Sequence, residues 1–178
     1  MLLEGDAWQR FFDGFKRSAF RLETRQVYTM PQEAENLRRY VDGERLPANH
    51  RSAWMERVAG LISTGRTIGR VHVIERPLTD YLLFEFEWYY QFHAAVGEDI
   101  RILDLTGGPN PGLPDEDFWM FDESEVVRMM YRADGTQIGR ELIESPDVGA
   151  YLGYRDIAIK HAVPFGEYWA ELRRSARS

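Results

Sequence analysis

The sequence predicts an α/β or α+β fold: a mixed sheet built on a βαβ unit over residues 67–105 and an antiparallel hairpin over 126–143, with N-terminal helices and a C-terminal helix. Three observations predict it. A β-branched run (Thr67, Ile68, Val71, Val73, Ile74) between Gly65 and Pro77 is followed by a helix entrance and then a second apolar run, GEDIRILDL. An Asp134-Gly135 pair separates two strand-like runs, a strong hairpin signal. Helical stripes of apolar residues stand at both ends of the chain.

In order along the chain, Trp8, Phe11, Phe12 and Phe15 form one stripe of a short amphipathic helix within residues 5–18. SAFRLETRQVY alternates Phe20 and Leu22 with Arg21 and Glu23, as an extended segment does. Pro31 opens a second helix, where its missing N–H costs nothing, and that helix stops at Asp42-Gly43. A third is expected from Pro47 to Thr64-Gly65, with Trp54, Val58, Leu61 and Ile62 on one face. Thr79 reads as the N-cap of a helix reaching about Ala95, with Asp80 in its first turn where the helix dipole favours an anion. The two strands flanking that helix should lie side by side and parallel, because a connection of this length is a crossover. TGGPNPGLPDED reads as a loop. DFWMFD is apolar on both alternating faces, which marks a central, buried strand, with Asp117 and Asp122 placed to cap turns. The tail from Val148 to Arg174 is helical by composition and interrupted at Pro164.

With 178 residues, 44% of them hydrophobic and 13% aromatic, the chain predicts a single domain over 1–178 with a substantial core. A net charge of −7 argues against a nucleic-acid coat or a binder of anionic membranes. The absence of cysteine excludes disulfides, thiolate nucleophiles and cysteine-bound metals. Glu4 and Asp6 stand where a secretion signal would need basic residues, and no apolar window suits a membrane span, so the expected location is the cytoplasm.

The densest polar group lies in RVHVIERPLTDYLLFE. Arg70 and His72 share one strand face, Glu75 follows at the strand end, and Asp80 opens the next helix, a region where open α/β sheets bind ligands. These four are the candidate ligand-binding residues. Arg70 would fix an anion and His72 is the candidate acid-base residue, oriented by Glu75 or Asp80. The competing reading makes His72 a satisfied core imidazole and Arg70 the partner of an acid on a neighbouring helix. Phosphotransfer through a His-x-Lys motif fails, because Ile74 occupies the lysine position and leaves the developing charge without a stabiliser. His50, His72, His93 and His161 show no metal-binding spacing, so no metal is expected; His93 reads as a solvated residue near a helix end. No Gly-x-Ser-x-Gly elbow is present, and the glycines of Gly65-Arg-Thr-Ile-Gly69 precede a strand and read as a turn, so no cofactor is expected either. Glu85, Glu87, Trp88, Tyr89 and Tyr90 give the central helix an aromatic surface suited to a ligand ring, another subunit or the core.

The strings FKRSAFRLETRQVY, GRVHVIERPLTDYLLFE, VGEDIRIL, DFWMFD and YRADGTQIGRE resemble an uncharacterised actinobacterial family, a domain of unknown function found in Streptomyces and relatives and often encoded beside helix-turn-helix regulators. The resemblance runs from about Phe12 to the C-terminal helix. It implies a regulatory neighbourhood and carries no catalytic residues. The chain has no recognition helix of its own, so direct nucleic-acid binding is not expected. The leading expectation is a non-enzymatic cytoplasmic binding or regulatory module that senses a small ligand or partners a regulator protein. The alternatives are a small specialised-metabolism enzyme using His72-centred acid-base chemistry and a structural oligomerising subunit.

Overall fold

The computed structural model describes residues 1–177. Its centre is one mixed sheet of seven strands in the order β6-β5-β4-β1-β2-β3-β7. Helix α1 (Gly5–Asp13) leads into β1 (Ser18–Glu23), and a turn of 3₁₀-helix (Pro31–Glu33) leads into α2 (Ala34–Val41). Helix α3 (Ala53–Ser63) starts later than the expected Pro47 because Ser52, whose Oγ accepts from the Met55 N–H, supplies the cap.

Strands β2 (Thr67–Ile74) and β3 (Asp99–Asp104) are adjacent and parallel, as the βαβ pattern requires. Gly69 lies within β2, not in a turn, and a Cβ there would come within 2.9 Å of the Asp99 carbonyl oxygen on β3. The crossover rod begins with α4 (Asp80–Glu85), capped by Thr79 as expected, passes through a π-helical segment (Phe86–Tyr90) and ends as α5 (Gln91–Ala95). Strand β1 runs parallel to β2 on one side and antiparallel to β4 (Asp117–Phe121) on the other, so the sheet changes direction sense at its centre. All five residues of β4 are buried. Strands β5 (Glu125–Tyr131) and β6 (Gln137–Leu142) form the expected hairpin, with Gly135 at φ +87° in the turn. The tail is α6 (Val148–His161) and α7 (Phe165–Ser175), separated by a two-residue edge strand, β7 (Val163–Pro164), that the sequence did not announce.

Alternation along the strands gives the sheet two different faces. Phe20, Leu22, Val71, Val73, Leu103, Phe118 and Met120 cluster with Tyr151 and Ala158 of α6 in a wholly apolar layer. The other face carries two apolar regions. One joins Trp8 and Phe12 of α1 and Val58 and Leu61 of α3 to Ile68, Trp119 and Phe121. The other joins the crossover rod and α7 to Ile74, Ile100 and Ile102. Between them lies a charged strip. Among the described residues, no helix is long and apolar enough to cross a membrane.

Candidate functional site: a buried charge cluster under an aromatic cleft

The strip follows from strand register. In the parallel β1–β2 pair, Arg21 lies opposite Arg70 and Glu23 opposite His72, all on the helix-covered face. Like charges side by side are unfavourable, and Glu23 resolves this one by serving both arginines: its Oε1 lies 2.9 Å from Arg21 Nε and 3.2 Å from Arg70 Nη1. Arg70 continues to Glu98, whose Oε1 lies 2.7 Å from both Nε and Nη2, and the Trp54 indole donates to the other oxygen of Glu98 at 3.1 Å. Arg21 donates to the Tyr131 hydroxyl at 2.9 Å and approaches Asp117 at 3.8 Å. Asp117, at the start of β4, accepts from the Thr24 N–H at 2.8 Å and from the Tyr28 hydroxyl at 2.5 Å. It therefore caps the chain leaving β1 and belongs to the cluster as well.

His72 is fully buried beneath this layer. Its Nε2 faces the Arg25 carbonyl at 2.7 Å, so that nitrogen carries a proton. Its Nδ1 lies 2.8 Å from the Tyr90 hydroxyl, but that hydroxyl already donates to Glu23 at 2.5 Å. The remaining neighbours of Nδ1 are carboxylate oxygens, Glu85 at 3.2 Å and Glu23 at 3.5 Å. Nδ1 has only acceptors around it, which makes the ring an imidazolium. Burial works against that charge, yet Glu85 and Glu23 outweigh it and raise the His72 pKa to about 9. Burial likewise opposes the Glu23 carboxylate, and Arg21, Arg70 and His72 overcome it and hold its pKa down at about 2.

Above the strip opens a cleft of about 720 Å³. Arg21, Glu23 and Arg70 form its floor; Trp8, Phe12, Trp54 and Trp119 line one side, and Tyr28, Tyr81, Tyr89 and Tyr131 the other. The crossover rod contributes Glu85, Tyr89, Tyr90 and His93, with the rings of Tyr89 and His93 stacked at 15° and 5.7 Å. The π-helical turn, which inserts a residue into the helical repeat, lies among them. Glu33, at the end of the 3₁₀ turn, accepts from the Tyr81 hydroxyl at 3.0 Å. Burial, with Glu85 nearby, pushes its carboxyl up to about 7.

The sequence-predicted residues divide into two groups. Arg70 is in the floor and His72 is directly behind it, outside the cleft lining. Glu75 and Asp80 are exposed and absent from the lining. Glu75 follows the last residue of β2, and its N–H is held by the Gln26 side chain, so the acids that reach His72 are Glu23 from β1 and Glu85 from the crossover rod. His93 is buried where a solvated residue was expected, and burial followed by the Arg70 charge lowers its pKa to about 3, keeping it neutral. Sequence reasoning missed Arg21, Glu23, Glu98 and the wall tyrosines Tyr28, Tyr81 and Tyr131; it placed Glu85 and Tyr89 on an aromatic helix surface suited to a ligand ring but did not connect Glu85 to His72. The signal for Arg21 and Glu23 was in view, an alternating strand with two opposite charges, but alternation by itself reads as a solvated face.

Glu23, His72 and Glu85 also offer one ligand atom each within 4.8 Å of one another, the donor set of a small cation site. The position such a cation would take is served by the Nδ1 proton, and Glu23 is already shared by two arginines. The geometry is that of a proton held between carboxylates.

Taken together, fold and site define a mixed α+β domain with an aromatic-walled cleft over a buried ionic floor. Over residues 6–170 the chain matches the family described as domain of unknown function DUF6879, and it belongs to that family. Comparison with curated proteins finds no match.

Proposed function

We propose that the protein is a non-enzymatic small-ligand-binding module and that the cleft on the charged sheet face is its binding site. The carrying observation is a cavity of about 720 Å³, within the range of small-molecule sites, walled by aromatic rings over a charged floor. The ionic floor is rigid and already paired, which favours recognition over proton transfer. His72, the residue an acid-base mechanism would use, is sealed behind Tyr90 and Glu23 with no path to a substrate. An anion seeking Arg70 meets a guanidinium that already spans Glu23 and Glu98. A sensing role in the cytoplasm, coupled to a regulator protein, is the setting in which such a module would act.

The test is native mass spectrometry of the protein purified from its own host, wild type beside Trp119→Ala and Tyr89→Ala. A retained small molecule that both substitutions release supports the reading. A protein that carries none, or one whose retained mass is indifferent to both substitutions, overturns it.

A further inference from the structure

The charges around the floor do not balance. Five acids (Glu23, Glu33, Glu85, Glu98 and Asp117) gather about three cations, Arg21, Arg70 and the His72 imidazolium, and burial pushes the carboxyls of Glu33, Glu85 and Asp117 upward. Arg21 reaches Glu23 and Asp117; Arg70 reaches Glu23 and Glu98; His72 reaches Glu23 and Glu85. Glu33 has no ion pair among the described residues, and its hydrogen bond is to Tyr81. Glu85 is about 95% buried and lines the cleft, and among the described residues its one ion-pair contact is that of Oε2 with His72 Nδ1 at 3.2 Å. Tyr81 and Glu85 are one helical turn apart on α4, so both acids stand at the same end of the cleft.

The other cationic lining residues are committed elsewhere. Arg57 pairs with Asp13 at 2.6 Å, and Arg140 rests on the Trp8 ring and donates to Gln137. Arg140 is on β6, four strands away from β2, which is roughly 19 Å at ordinary strand spacing. Tyr28, Tyr81 and Tyr89 line the same cleft as these acids. Carboxylates short of a counterion beside tyrosine rings are the chemistry that holds an ammonium group.

We infer that the cleft binds an amine, a small molecule whose protonated nitrogen sits between Glu33 and Glu85 with its apolar body against the tyrosine wall. The inference rests on the cleft being a ligand site and specifies which chemistry it selects. The ammonium completes the unmatched acids and keeps Glu33 ionised by offsetting its burial and the nearby negative charge of Glu85 and Glu23, against which the protein sets the Tyr81 hydrogen bond and Arg21.

The experiment uses three matched probes that differ only in the terminal group: tyramine, its alcohol analogue tyrosol, and 4-hydroxyphenylacetate. Binding to the full chain is measured by ligand-observed NMR and calorimetric titration at about pH 8. For fragments of this size an affinity on the order of 1 mM is expected. Tyramine should bind about tenfold more tightly than either analogue, and Glu33→Gln should reduce that preference to about twofold, because one of the two ion partners is gone. Glu33→Asp, which keeps the charge, should retain most of it, and thermal melts of both variants establish that they are folded. Lowering the pH to about 5, where Glu33 takes up its proton, should weaken tyramine and leave tyrosol unchanged. Equal binding of all three probes, or a preference that survives Glu33→Gln, overturns the amine assignment while leaving the cleft as a site. Tightest binding of 4-hydroxyphenylacetate assigns the cleft to anions and overturns it as well, as does the binding of none of the three. A cleft with no ligand at all is distinguished by the native mass measurement above.

Discussion

The protonation of His72 is the sharpest quantitative consequence of the structure. The ring is fully buried, its pKa is raised from 6.5 to about 9, and the difference corresponds to on the order of 3 kcal/mol of folding stability. Because the folded-state value lies above the unfolded one, this stability is complete below about pH 6.5 and is lost as the pH rises through about 9. The perturbation is therefore alkaline titration, compared between wild type and His72→Gln, which cannot carry the charge. Urea unfolding followed by tryptophan fluorescence from about pH 6 to about pH 9.5 gives the free energy at each point. The difference between the two proteins should shrink by about 2 to 3 kcal/mol across that window, since groups that do not touch His72 cancel. Side-chain ¹⁵N shifts of His72 check the same quantity directly, with both nitrogens protonated at pH 7. A ring that titrates near 6.5, or a stability difference that is flat with pH, would refute the argument from acceptor-only surroundings.

Glu33→Gln should stabilise the protein at about pH 8 by on the order of 1 to 3 kcal/mol and do little at about pH 4, because a carboxyl raised to about 7 by burial and Glu85 penalises the fold only once ionised; unfolding titrations at the two pH values check it. Arg70→Ala should cost about 3 to 5 kcal/mol in urea unfolding, since it leaves Glu98 and Glu23 buried with fewer cations, and Arg70→Met should recover little of that. Gly135→Ala should lower stability by about 2 kcal/mol or more, because the position has φ +87° and the new Cβ would meet the Val27 carbonyl oxygen at 2.5 Å; an unchanged thermal melt would contradict the turn geometry.

Local signals account for what was legible. The βαβ unit was readable because β-branched residues, a Thr79 cap and a crossover-length helix all lie within one stretch, and the hairpin because Asp134-Gly135 sets its turn. The place of β1 between β2 and β4 was not readable: its partners lie some fifty and a hundred residues away, and pairing at that distance leaves no local mark. The site suffered for the same reason. Arg70 and His72 stood out because they share a strand, whereas the acids that complete them come from β1, the crossover rod and the turn before β3. Glu75 and Asp80 were chosen for nearness in sequence, but the chain leaves β2 there and carries both side chains to the surface.

The charged strip also bears on how the chain selects one alignment at the centre of its sheet. Side chains alternate with a period of two, so a one-residue slip of β1 would turn Phe20 and Leu22 toward the ionic cluster and thrust Arg21 and Glu23 into the apolar layer under α6. An all-hydrophobic β1 would tolerate such a slip, since either face would still find grease. Opposite charges on one face make the misaligned sheet intolerable, so the cluster encodes register: it tells a strand with distant partners which of its two sides is which.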